Sequence, residues 1–61
     1  MPVVTVELTE GRTPEQKKQL AVDITAAFVK IGVRPEAIYV VLHDVPRQNW
    51  AVGGQLLSER K

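Results

Sequence analysis

Valine and threonine dominate the first residues of the chain, and this β-branched run predicts a strand from Pro2 to Leu8, ending before Thr9-Glu10-Gly11. The pattern then changes period. Leu20, Ile24, Ala27, Phe28 and Ile31 recur at helical spacing and predict one apolar stripe. Thr13 suits the N-cap of that helix, Pro14 its first position, and Gln16 completes a capping box with Thr13. Glu15 puts a negative charge in the first turn, at the positive end of the helix dipole. The helix is expected to run to about Ile31, with Gly32 closing it and Pro35 barring continuation. Val22 and Val29 lie roughly opposite the stripe, a second apolar face suited to a helix held between its own sheet and a neighbouring subunit. Residues 38–42 form a nearly continuous apolar run, predicting a strand buried on both faces. From Pro46 the chain is rich in turn residues, with Trp50 and the Gly53-Gly54 pair, which suits a short hairpin or an arm reaching onto a neighbour.

Strand, helix and strand make a β-α-β unit of α+β class, and two parallel strands are not a stable sheet alone. Size sharpens the point. A chain of 61 residues forms one domain, residues 1–61, and it buries too little surface to be comfortable as a monomer. The usual supplements are disulfides, a metal or oligomerisation. No cysteine and one histidine exclude a disulfide framework and any common zinc site, so the sheet is expected to be completed by dimerisation at least. The eight basic and seven acidic residues are interspersed, which argues against strong attraction to nucleic acid or membrane. With no bilayer-spanning run and no signal peptide in view, a cytoplasmic location is expected.

The candidate chemistry begins at Pro2. Methionine removal of the bacterial type favours a small second residue, so loss of Met1 would expose Pro2 as a free secondary amine held by its ring. With Met1 in place the same nitrogen is an amide and no base.

Pro2 opening the first strand, Glu10-Gly11-Arg12-Thr13 with Glu15-Gln16-Lys17 behind it, and Trp50-Ala51-Val52-Gly53-Gly54 near the end are weak motifs singly. In this order and at this length they are specific, and over essentially the whole chain the sequence resembles the 4-oxalocrotonate tautomerases. That resemblance implies a β-α-β protomer assembled as a homohexamer, a trimer of dimers, with each site at a subunit boundary around the N-terminal proline. It also implies an isomerase that shifts protons on 2-hydroxy-dienoate or enol acids such as 2-hydroxymuconate, in aromatic degradation, without a cofactor. A sequence with no nucleotide loop, metal cluster or catalytic triad is consistent with that chemistry.

A proton shift of this kind needs a group whose pKa lies near the working pH. An apolar pocket and a nearby cation both disfavour the protonated prolyl amine. Pro2 is therefore expected as general base and proton donor, with Val3, Leu8 and Trp50 as apolar walls and Arg12 as the cation. Arg12, in the loop after the first strand, is by resemblance the residue that grips a substrate carboxylate through two parallel hydrogen bonds. Tyr39 falls where the family carries a second arginine. A phenol donates one hydrogen bond but no charge, which implies a weaker preference for dicarboxylates or a different substrate. Trp50 replaces a phenylalanine and would narrow the pocket. His43, alone near a strand end, reads as a surface or hydrogen-bonded residue. Arg34 and Arg47 are further cations that a neighbour could contribute, and Asp44 is an acid of the sort that activates water in hydratase-like relatives.

Three other readings follow from the same residues. One is a 3-haloacrylate hydratase or dehalogenase, although the tail lacks the acid such relatives carry. Another is a catalytically silent subunit of a hetero-oligomer, which the absence of arginine at Tyr39 favours slightly. The last is a ribbon-helix-helix DNA-binding dimer, which needs a second helix where the apolar run 38–42 stands.

Overall fold

The computed structural model describes residues 1–60. Strand β1 (Val3–Thr9) leads into helix α1 (Pro14–Val29), and strand β2 (Tyr39–Val45) returns parallel to β1, pairing Val3 with Tyr39 through to Thr9 with Val45. The helix starts as its local sequence dictates. Gln16 donates its backbone N–H to Thr13 Oγ1 at 3.1 Å, and Thr13 donates its own to Gln16 Oε1 at 2.9 Å. At the other end, Gly32 (φ 96°) turns the chain, Gly32 N–H bonds the Val29 carbonyl and Val33 N–H bonds that of Phe28. This pair of bonds is a Schellman closure with glycine in the left-handed position. It accounts for the regular helix stopping at Val29 while the turn continues through the expected Ile31.

The helix packs on a face rotated from the expected stripe. Lys17, Ala21, Ile24, Thr25 and Phe28 are its half-buried positions, whereas Leu20 and Ile31 are 36% and 75% exposed. Lys17 lies on this face, where it meets Asp44, beside Ala21 and Thr25. Opposite, Val4, Val6, Leu8, Val40 and Leu42 form the covered sheet face. The other sheet face, with Val3, Thr5, Tyr39 and Val41, is open. The expectation of a second strand buried on both faces is thus corrected for the single chain. The strand also begins one residue later and runs three further than the apolar pattern indicated, where a Glu7–His43 cross-strand contact and the Lys17–Asp44 ion pair accommodate the polar residues at its end. A strand here also removes the second helix that a ribbon-helix-helix protein requires.

The tail forms a hairpin. Strands β3 (Ala51–Val52) and β4 (Gln55–Leu56) are antiparallel and joined by Gly53 and Gly54 at φ 61° and 83°. Two successive positive φ values are what a two-residue type I′ turn demands. Arg47 secures the segment by donating to the Leu57 carbonyl at 2.7 Å, so this guanidinium is already engaged within its own chain.

No described residue is fully buried, and the accessible surface is 4713 Å². A compact monomer of this mass would expose about 4,000 Å². The radius of gyration, 14.6 Å, likewise exceeds the ~10.5 Å of a compact chain of this length. Both strands of the β1–β2 sheet are edges with unpaired backbone groups on one side. The single chain therefore exposes more surface than a compact monomer of its mass.

Candidate functional site

The loop between β1 and α1 is short and strongly bent. Glu10 N–H still bonds the Val45 carbonyl at 3.1 Å, after which Gly11 (φ 114°) takes a backbone conformation that side chains resist. This turn delivers Arg12 to the mouth of an open cavity of about 260 Å³ lined by Leu8, Arg12, Gln16, Lys17 and Leu20. Leu8 and Leu20 supply apolar walls. Every charged lining group is cationic, and no carboxylate among the described residues pairs with Arg12. An arginine fork opening into an apolar-walled recess is suited to a small carboxylate.

Two of the expected site residues, Leu8 and Arg12, meet in this cavity. Pro2 and Tyr39 meet elsewhere. The Pro2 carbonyl accepts the Tyr39 N–H at 3.0 Å, adding a rung to the ladder beyond β1, and Tyr39 stands 52% exposed on the open sheet face. A seven-residue strand separates the two groups. At about 3.3 Å per residue this is roughly 20 Å, far longer than a small enol acid. Trp50 is half-buried at the base of the hairpin, where its carbonyl accepts the Leu57 N–H at 2.8 Å. The hairpin packs chiefly against its own flanking 3₁₀ turns. Within one chain, then, Pro2, Arg12 and Trp50 do not converge.

Met1 is 84% exposed and Pro2 half-buried, so removal of the methionine would cost little packing. His43 Nδ1 lies 2.7 Å from Glu7 Oε1 on the open sheet face, a cross-strand pair that answers the surface reading of this histidine. Asp44 Oδ2 is engaged by Lys17 Nζ. Arg34 caps the 3₁₀ turn Pro35–Ala37 without a side-chain capping bond. Leu20, read as part of the apolar stripe, and two polar lining residues were not read as site residues from the sequence. Gln16 was read as a helix cap and Lys17 only within the motif that carries the family resemblance. Their spacing from Arg12, about one helical turn onward, was the signal available. No helix among the described residues is long and apolar enough to cross a membrane.

Residues 2–60 match the family model for the tautomerase enzymes. A probable tautomerase of Bacillus cereus is 46% identical over 61 residues, covering 98% of this chain and all of that one. A probable tautomerase of Staphylococcus epidermidis is 41% identical, again over 98% of this chain and the whole of the relative. Among solved structures, TomN, a 4-oxalocrotonate tautomerase homologue in the tomaymycin biosynthetic pathway, superposes with a TM-score of 0.93 at 37% identity, over 97% of this chain and 92% of its own. A heterohexamer 4-oxalocrotonate tautomerase from Chloroflexus aurantiacus gives 0.91 at 31% identity, with both chains covered completely.

Proposed function

Because the chain belongs to the tautomerase family, we propose that it catalyses a cofactor-independent keto–enol shift on small enol acids such as 2-hydroxymuconate. The observation that carries this reading is the Arg12 guanidinium, without a carboxylate partner among the described residues, opening into a cavity with leucine walls. Arg12 grips a substrate carboxylate there and draws electron density toward it. Pro2, freed by loss of Met1, takes the proton from the enol hydroxyl and returns one to carbon. One group serves both halves because the protonated amine formed in the first step is the acid of the second.

The roughly 20 Å between Pro2 and the Arg12 cavity means that the two act together only when they come from different chains. The unpaired strand edges and the open face around Val3, Tyr39 and Val41 supply surfaces for such an assembly, and we read it as a homohexamer, a trimer of dimers. In it Tyr39 donates a hydrogen bond to substrate beside Pro2, and Trp50 of the hairpin closes the apolar wall. Water activation for hydration or dehalogenation is disfavoured by the engagement of Asp44 with Lys17.

The test is Arg12→Ala. A bidentate charge-assisted contact is lost, and KM for 2-hydroxymuconate is expected to rise by about 10- to 100-fold. Steady-state ketonisation kinetics check this. An unchanged KM would remove the carboxylate from this cavity and the reading with it.

A further inference from the structure

Lys17 is the one residue of the first helical turn that points inward. Its side chain is 31% exposed, it lines the Arg12 cavity, and it reaches across to Asp44 at the end of β2, next to Leu8 in the sheet register. An ion pair this accessible adds little to stability. Its effect is on geometry: Asp44 takes one of the three ammonium donors and fixes where the other two can point. Gln16 is held similarly. Its Oε1 accepts the Thr13 N–H, and the residue lines the cavity as a polar group without charge.

We propose that Lys17, positioned by Asp44, is a substrate-binding residue that contacts the same carboxylate as Arg12. This rests on the tautomerase reading of the Arg12 cavity and deepens it. The arginine supplies a planar fork and the lysine a compact point charge from the adjacent helix, so the carboxylate is addressed from two elements. A phenol at Tyr39 leaves the Pro2 end of the site without a cation from that position. The positive charge that the chain brings to substrate is thereby gathered at the Arg12 end. The cavity is consequently a reader of one carboxylate, and a second carboxylate at the far end of the substrate gains little from it.

The experiment measures equilibrium binding of two unreactive dienoates, trans,trans-muconate with two carboxylates and sorbate with one. The full chain is used, as wild type, Lys17→Met, Lys17→Arg and Arg12→Ala. Loss of one charge-assisted hydrogen bond is expected to weaken both ligands about 10-fold or more in Lys17→Met, by the same factor for each. Lys17→Arg is expected to recover most of that loss, and the thermal midpoint of either lysine variant to stay at the wild-type value. A purely structural lysine would instead move the midpoint and leave the affinities in place. Binding that Arg12→Ala abolishes and Lys17→Met leaves intact overturns the inference while the tautomerase reading stands. Weakening of muconate alone would place Lys17 on the second carboxylate and also overturn it. If neither ligand binds wild type, or Arg12→Ala binds as wild type does, the carboxylate cavity itself fails and takes both readings down.

Discussion

Replacing Pro2 with alanine is expected to lower the turnover of 2-hydroxymuconate by about 10²-fold or more, the lower end of what a positioned general acid–base group contributes. Alanine keeps an N-terminal amine, so the substitution removes the ring rather than the nitrogen. Without the ring the amine rotates freely and hydrates more fully, and both changes disfavour a neutral base held against the enol hydroxyl. The fold should be indifferent, since the contact that anchors position 2 is its carbonyl, which accepts the Tyr39 N–H whatever the side chain. Intact mass belongs beside the rate measurement. A preparation that retains Met1 carries an acylated nitrogen and should be at least as inactive as the variant. Equal turnover by wild type and Pro2→Ala would end the proline mechanism.

The second large effect concerns assembly. Val41→Lys is expected to abolish the oligomer and, with it, most of the ordered structure. Val41 sits opposite Thr5 on the open face of the sheet, 49% exposed in the single chain. If that face is covered by other copies, an unpaired ammonium there costs roughly 3–5 kcal/mol, and symmetry repeats the cost at every copy. The protomer has no fully buried residue among those described to fall back on. Folding and association should therefore be lost together, and wild-type stability should depend on protein concentration. Light scattering coupled to size exclusion, with far-ultraviolet circular dichroism on the same fractions, checks both. A Val41→Lys chain that elutes and melts as wild type does would return this face to solvent.

The parts of the fold legible in the sequence are those set by neighbours along the chain. Thr13 and Gln16 specify the helix start because the capping box closes within one turn, and Gly53-Gly54 specify a hairpin because so few residues accept two positive φ values. Illegible were the features set by neighbours in space. His43 and Asp44 looked like the end of an apolar strand, but Glu7 and Lys17 meet them from other elements, and β2 continues to Val45. The packed face of the helix also lies away from Leu20 and Ile31, which periodicity alone had placed inside. The site divides in the same manner. The meeting of Lys17 with Asp44 beside the cavity was not legible, whereas Arg12 was, from its place in the loop and from family likeness, and so was its separation from Pro2, which the length of the predicted strand sets.

That separation has a genetic consequence. A site composed of one chain's beginning and another chain's loop, as proposed above, would not belong to any single copy of the chain. Two defective alleles, one damaged at Pro2 and the other at Arg12, would each encode an inert protein when expressed alone. Expressed together they would form mixed particles in which an intact proline faces an intact arginine at some boundaries. Heredity would then score as complementing two lesions that lie in the same short reading frame.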